Sequence, residues 1–129
     1  MAKFEKFEEI EAWKKARKLS KNIYLQTRKE SFQNDFALTN QIRKSSGSIM
    51  DNIAEGFDRG GNKEFIQFLY IDKGSASETK SQLYRALDQS YIQNEEFEVL
   101  YTLVNEITLM LGKLISYLRN SGYKGSKYK

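Results

Sequence analysis

The residues of this chain best suited to chemistry lie in one short stretch, 48–59, which reads SIMDNIAEGFDR. It places an amide at Asn52, a carboxylate at Glu55 and a glycine at Gly56 among apolar residues. A carboxylate held among apolar groups must be paired, or its pKa rises. The stretch is therefore either a site that performs a function or a device for packing helices.

Residue types restrict the chemistry. The chain has no histidine and no cysteine, which removes the usual general base, a thiol nucleophile and the commonest metal ligands. Asp51 with Glu55, or Asp58 with Asn62, can hold magnesium only weakly, and no glycine-rich phosphate loop occurs. We therefore predict that the protein is not an enzyme and needs no cofactor.

Asn52 and Glu55 lie three residues apart, on one face of a helix. Glu55 precedes Arg59 by four residues, the favourable order for an ion pair. We interpret Asn52 and Glu55 as a structural polar network, either buried or at a subunit interface. The alternative is contact with a nucleic acid or another partner.

These residues belong to long helical patterns, in which apolar residues recur every three or four positions. We predict four helices, at about 8–29, from 34 or 35 to the glycines at 60–61, about 62–92, and 94–120. Asn62 and Asn94 are expected to be N-caps. The pattern predicts an all-α protein, an antiparallel up-down-up-down four-helix bundle over residues 1–120, with a disordered basic tail at 121–129.

Small residues replace bulky ones at 45–48 (SSGS) and 74–77 (GSAS), in the second and third predicted helices. Two helices with such patches can approach closely, and their hydroxyls can bond to the preceding turn or pair across the contact. We expect close packing within one subunit. A subunit contact or a ligand groove is the alternative.

Basic residues are concentrated in the first helix and the tail. Residues 12–29 contain seven lysines and arginines and no carboxylate, whereas the net charge of the whole chain is only +4. Several cations on one solvent face suit the phosphates of a nucleic acid, although basic residues late in a helix also complement its dipole. The residues predicted to contact nucleic acid are Lys14, Lys18, Lys21, Arg28, Arg43, Lys44 and Arg59.

Several of these motifs occur together in a known family. The segment FEEIEAWKKARKLSKNIY, followed by NIAEG with a later arginine, FLY, and Gly74-Ser75 with Glu78, resembles the bacterial four-helix bundle proteins named after 23S rRNA intervening sequences. The resemblance covers about 7–118. Asp51 and Asp72 depart from it, because small apolar residues are common there.

The resemblance implies a four-helix protomer that assembles into a homo-oligomer, commonly a ring of five. More distant relatives, the accessory proteins of diversity-generating retroelements, partner a reverse transcriptase and bind nucleic acid. No catalytic residues are established for the family.

We therefore expect a cytoplasmic, ring-forming homo-oligomer without a membrane span, which binds the backbone of RNA or DNA, with RNA favoured. The alternative is an oligomeric scaffold or accessory subunit for another protein. Its candidate contacts are apolar residues off the core stripes: Phe4, Phe7, Tyr70, Ile71 and Tyr101.

Overall fold

The computed structural model describes residues 4–121, which are all-helical and contain no strand. A single 3-10 turn precedes five α-helices. The elements are the 3-10 turn Phe7–Glu9, α1 Glu11–Thr27, α2 Glu30–Gln33, α3 Phe36–Asp58, α4 Asn62–Asp88 and α5 Asn94–Asn120. The prediction of an all-α protein is confirmed. The predicted basic tail lies, apart from Ser121, outside the described residues.

The first predicted helix, at about 8–29, is divided in the structure into the 3-10 turn and α1. Ile10 has an extended backbone, with φ −78° and ψ 122°, and this separates the 3-10 turn from α1. The one-turn helix α2 follows two residues after α1 and was not predicted. Its single buried residue, Phe32, stacks on Tyr91 with ring centroids 5.1 Å apart.

The predicted caps are partly wrong. Asp35 does cap α3, since its Oδ1 accepts from the backbone N–H of Leu38 at 3.1 Å. At α4, however, the N-cap is Gly61, and Asn62 instead donates its amide to the carbonyl oxygen of Leu118 at 2.9 Å. Asn62 therefore fastens the start of α4 to the end of α5.

Gln93, rather than Asn94, is the N-cap of α5. Its side chain accepts from the backbone of Glu96, and the Glu96 carboxylate accepts from the backbone N–H of Gln93 at 2.7 Å. This reciprocal pair satisfies two N–H groups that a helix start leaves open. The preceding helix ends at Asp88 rather than near Ile92.

The four long helices share one hydrophobic core. Helix α1 packs against α3 and α5, and α4 packs against the same two helices from the other side. The largest buried apolar side chains come from all of these helices: Leu19, Ile23, Ile42, Ile49, Ile53, Phe57, Phe65, Leu69, Leu83, Ile107 and Leu111. Burial of this apolar surface is the main stabilising term of the fold.

Helix α5 is long and apolar enough to cross a membrane by length and composition. The core helix of a soluble protein has the same properties, and Leu103, Ile107 and Leu111 of α5 are buried in the shared core.

The contact between α3 and α4 is close and partly polar, as the small residues predict. The Ser45 hydroxyl lies 2.8 Å from the Thr79 hydroxyl and donates to the Gln82 side chain at 2.6 Å. Ser46 instead donates to the carbonyl oxygen of Ile42, one turn earlier, at 2.7 Å. Both predicted modes of hydroxyl bonding are confirmed.

Gly56 is the glycine on which this close approach depends. A Cβ atom at Gly56 would lie 2.7 Å from Cβ of Phe68, too near for either backbone to remain in place. By contrast, a Cβ at Gly47 or Gly74 would meet nothing within 4 Å. The glycine in the NIAEG motif is therefore a packing device.

Candidate nucleic-acid interface

Three of the predicted contact residues form the outward face of α1. Lys18, Lys21 and Arg28 are exposed, and none makes a salt bridge with another residue in the range 4–121. Their spacing places them on one side of the helix, over about 15 Å at 1.5 Å per residue. These cations remain available for an anionic partner, and we call the three residues the α1 outer face.

Three neighbouring lysines on and after α1 are paired with carboxylates, whereas Arg17 lies over the Trp13 ring, 5.8 Å from its centroid. The pairs are Lys14 with Glu11 at 3.1 Å, Lys15 with Glu106 at 3.4 Å, and Lys29 with Glu96 at 2.9 Å. Lys14 was a predicted contact residue, but its charge is partly neutralised within its own helix. The pair is exposed and therefore weak, so a phosphate can displace Glu11.

Acidic groups of α5 line the groove between α1 and α5. Lys18 lies in this groove together with Glu98 and Glu106. Hydrogen bonds from the backbone of Gln93 and from Lys29 lower the pKa of Glu96, which therefore stays ionised. The acidic groups of α5 therefore lie beside the α1 outer face along the groove, near Lys18 and near Lys29.

Arg43 is mainly a structural residue. Its Nε donates to the Thr27 hydroxyl at 2.9 Å, and its guanidinium lies over the Tyr24 ring, 4.4 Å from the centroid. These contacts join α3 to the last turn of α1 and leave Arg43 half-buried. Lys44, the next residue, is exposed and lies on the same part of α3.

Arg59 lies away from the other predicted contacts. It caps the far end of α3, fifteen residues from Lys44, or about 22 Å along the helix. Its guanidinium pairs with Glu55 at 2.8 Å and lies over Phe68, 5.3 Å from the ring centroid. The structure does not bring Arg59 together with the α1 outer face.

The expected network of Asn52 and Glu55 divides into two separate contacts. The Glu55 side chain is 54% exposed, and the ion pair predicted with Arg59 is confirmed. Asn52 is half-buried and approaches Asp72 of α4 instead. The carboxylate that the fold places among apolar residues is therefore Asp72.

Asp72 is fully buried, and neither of its carboxyl oxygens has a hydrogen-bond partner among the described residues. Burial raises the pKa of Asp72 to about 8. The Asn52 amide offsets part of this rise, without completing a hydrogen bond, and the charge of Asp51 adds to it. The group is thus largely protonated at neutral pH.

The sequence contained the signal for this burial. Asp72 lies three residues after Leu69 and four before Ala76, so it continues the apolar stripe of α4. No cluster of three acidic residues that could hold a metal occurs in the range 4–121. A single protonated carboxyl group is a poor metal ligand.

The apolar candidates for a protein contact fall into two groups. Phe4, Phe7 and Tyr101 are half-buried and pack against the core. Tyr70 and Ile71 remain exposed, at 44% and 56%. The lysines of the tail, Lys124, Lys127 and Lys129, lie outside the described residues.

These features define an all-helical protein with a shared core, a close α3–α4 contact and unpaired cations on the outside of α1. The chain belongs to the 23S rRNA-intervening sequence protein family, whose model matches residues 8–113. The resemblance read from the motifs is therefore confirmed.

A solved structure agrees with this assignment. The chain is similar to the crystal structure of a protein with unknown function from the S23 ribosomal protein family of Bacteroides thetaiotaomicron. The two are 27% identical, with a TM-score of 0.74, and the match covers 81% of this chain and 97% of the other. No protein with curated annotation matches this chain significantly.

Proposed function

We propose that this protein is a non-enzymatic, ring-forming homo-oligomer of the cytoplasm that binds the backbone of RNA, or of DNA, through the α1 outer face. The observation that carries the proposal is the set of unpaired, exposed cations at Lys18, Lys21 and Arg28. Cations that replace the counterions of phosphates supply most of non-specific affinity for nucleic acid.

We also propose that the protomer is an antiparallel up-down-up-down bundle. Contacts between neighbouring helices support this arrangement. Ser45, in the first half of α3, meets Thr79 in the second half of α4, and Asn62 at the start of α4 meets Leu118 at the end of α5. Lys29, after the end of α1, pairs with Glu96 at the start of α5.

Assembly into a ring of five is part of the proposal. Exposed apolar side chains support a subunit contact in the α1–α5 groove, which both Leu25 and Val99 line. They are 50% and 62% exposed, which is unusual for large apolar side chains unless another surface covers them. Five copies would multiply a weak contact with one strand through avidity.

The proposed mode of contact is directed at the backbone. The chain has no signature of base-specific recognition, and two of the three cations of the α1 outer face are lysines, which act as point charges. We expect affinity for duplex DNA as well as RNA, with a steep loss as salt rises.

The experiment measures binding of the purified protein to RNA and to duplex DNA across a salt series. The variant carries Lys18→Gln, Lys21→Gln and Arg28→Gln. A matched control removes three exposed cations elsewhere, through Lys6→Gln, Lys63→Gln and Arg85→Gln. Native mass spectrometry of each protein measures the number of subunits.

The proposal predicts that the α1 variant loses at least tenfold in affinity for both polymers, whereas the control loses less than threefold. Equal losses in the two variants would mean that total charge, rather than this surface, drives binding. A protein that stays monomeric at micromolar concentration would contradict the proposed ring of five subunits.

A scaffold for another protein is the second candidate, and the exposed side chains of Phe36 and Ile71 favour it. They are 72% and 56% exposed and lie on different helices from the α1 outer face. Binding to a protein partner that survives high salt and is lost in Ile71→Ser, together with no binding to either nucleic acid, would establish this candidate instead.

A further inference from the structure

Helices α4 and α5 form a second basic surface, which the sequence patterns did not reveal. Along the line where the two helices meet, three tyrosines alternate with three cations. We call this surface the tyrosine–cation seam, and its members are Tyr70, Lys73, Lys80 and Tyr84 of α4 with Tyr101 and Arg119 of α5.

The cations of the seam lie over the rings. At one end, Arg119 donates to the Tyr70 hydroxyl at 2.7 Å and lies 5.4 Å from the centroid of its ring, with Lys73 at 5.7 Å. At the other end, Lys80 lies 5.0 Å from the centroid of Tyr101. The seam thus combines aromatic and cationic side chains along its full length.

Two of the tyrosine rings are open to solvent. Tyr70 is 44% and Tyr84 is 48% exposed, whereas Tyr101 is half-buried beneath them. Tyr84 and Tyr101 contact each other edge to face, with centroids 5.6 Å apart. Residues 70 and 84 are about 21 Å apart along α4, which is long enough for several nucleotides of an extended strand.

The seam cations have no acidic partner. Lys73, Lys80 and Arg119 make no salt bridge within residues 4–121, unlike Lys14, Lys15 and Lys29 near α1. Glu98 is close enough to Tyr84 to raise its pKa, after the larger effect of the Tyr101 hydroxyl, but it does not bond to the seam cations. The positive charge of the seam is therefore unneutralised.

We infer that the tyrosine–cation seam binds single-stranded RNA, with unpaired bases stacked on Tyr70 and Tyr84 and phosphates on Lys73, Lys80 and Arg119. Exposed aromatic rings beside a line of cations are the pattern by which proteins hold single strands. Each cation can exchange its ring for a phosphate, because contacts between exposed cations and rings are weak.

The charge argues for this occupant over an apolar one. A hydrophobic peptide would have to desolvate three cations without any carboxylate to receive them. A duplex would hide its base faces, leaving the exposed rings unused. The inference rests on the proposed function, since it adds a base-contacting surface to a protein that binds nucleic acid.

The test compares three probes of equal length: single-stranded RNA, a strand of the same backbone without bases, and duplex RNA. The seam variant carries Tyr70→Leu and Tyr84→Leu. Tyr70→Phe with Tyr84→Phe keeps both rings. Phe36→Leu is the matched control, because Phe36 is also an exposed aromatic residue, at 72%, and lies at the start of α3, in neither the α1 outer face nor the seam.

We expect the Leu variant to lose roughly fivefold or more in affinity for single-stranded RNA for each ring removed. Its affinity for the baseless strand should not change. The Tyr→Phe variant and Phe36→Leu should bind single-stranded RNA like the wild type. Circular dichroism and native mass confirm that helices and assembly are retained.

Three results would overturn the inference: no loss for single-stranded RNA, an equal loss for the baseless strand, or a changed native mass that accounts for the loss. A separate variant, Lys73→Gln with Lys80→Gln and Arg119→Gln, guards against a folding defect in the Leu variant. It must weaken binding to all single strands if phosphates lie on the seam.

The α1 variant separates this inference from the proposed function. Neutralising the α1 outer face should lower the affinity for the baseless strand and for the RNA alike. Removal of the rings should lower only the affinity for the RNA. Loss in the α1 variant without loss in the ring variant would overturn the seam alone. The reverse result would overturn the α1 outer face and leave the seam in place.

Discussion

Helix α4 has two sides of opposite character. Toward α3 it is closely packed, with Thr79 bonded to Ser45, and Phe68 against Gly56. Toward α5 it presents exposed tyrosines beneath cations that have no acidic partner. One helix therefore supplies stability on one side and, in our inference, a surface for binding on the other.

The difference follows from burial. Polar groups removed from water must find hydrogen-bond partners. In a close-packed contact, the loss or addition of a single methyl group changes the free energy of unfolding. Exposed cations and rings exchange partners at little cost, because water can replace each contact. Substitutions on the α3 side should therefore change stability, whereas those on the α5 side should change binding.

The largest effect expected on the α3 side is a dependence of stability on pH through Asp72. Burial raises its pKa to about 8 in the folded state, above the ordinary value of 3.8. The folded protein thus keeps a proton that the unfolded chain releases. Stability that is complete below pH 4 should fall as the pH rises toward 8, by about 1.4 kcal/mol per unit at most and on the order of 5 kcal/mol in total.

Denaturant unfolding at pH values between 4 and 9 measures this decline. Asp72→Leu, which has a similar shape and no charge, should remove it and stabilise the protein at pH 8. Asp51→Asn should retain the decline but end it at a slightly lower pH, since the charge of Asp51 contributes to the raised pKa. A wild-type curve that is flat from pH 5 to 8 would contradict the assignment.

The next effect in size concerns Gly56. Gly56→Ala places a Cβ atom 2.7 Å from Cβ of Phe68 and 3.0 Å from the Phe65 ring. Overpacking of this kind costs about 1–3 kcal/mol, against which better helix propensity returns about 1 kcal/mol. Thermal unfolding should show a net destabilisation of up to about 2 kcal/mol.

Gly74→Ala is the matched control for Gly56→Ala. Gly74 also lies inside a long helix, α4, but a Cβ atom added there would meet nothing within 4 Å. It should leave stability unchanged or increase it by up to about 1 kcal/mol. Equal changes in the free energy of unfolding for the two substitutions would show that α3 and α4 are less closely packed at Gly56 than the structure indicates.

The smallest effect should come from the α5 side of α4. Lys73→Gln and Lys80→Gln each remove a contact between a half-buried lysine and a tyrosine ring. Such contacts contribute about 0.5–1 kcal/mol, so the free energy of unfolding should change by no more than that. A loss as large as that of Gly56→Ala would mean that the seam is structural, and the contrast between the two sides of α4 would disappear.

The sequence predicted those features that depend on spacing along one helix. Apolar periodicity indicated the long helices, small residues indicated the α3–α4 contact, and the four-residue step from Glu55 to Arg59 indicated their ion pair. For the stretch around Gly56 the sequence offered packing as one of two interpretations, and the structure supplies its reason, the side chains of Phe65 and Phe68.

Features that depend on how helices rotate against each other were not predicted. The burial of Asp72 was not predicted, although Asp72 continues the apolar stripe of α4 and stands where small apolar residues are common in the family. The seam was missed because Tyr70 and Arg119 meet only when α4 and α5 are packed. Asn62 bonds across helices for the same reason, instead of capping its own.

The most direct test of the central claim, that the α1 outer face neutralises phosphates, is the slope of binding affinity for single-stranded RNA against salt concentration on logarithmic axes. Each phosphate contact contributes about 0.7 to this slope. Replacing Lys18, Lys21 and Arg28 by glutamine should therefore reduce the slope by about 2 per protomer engaged. Parallel lines for the wild type and the variant would show that these three cations do not meet phosphates, and would contradict the account.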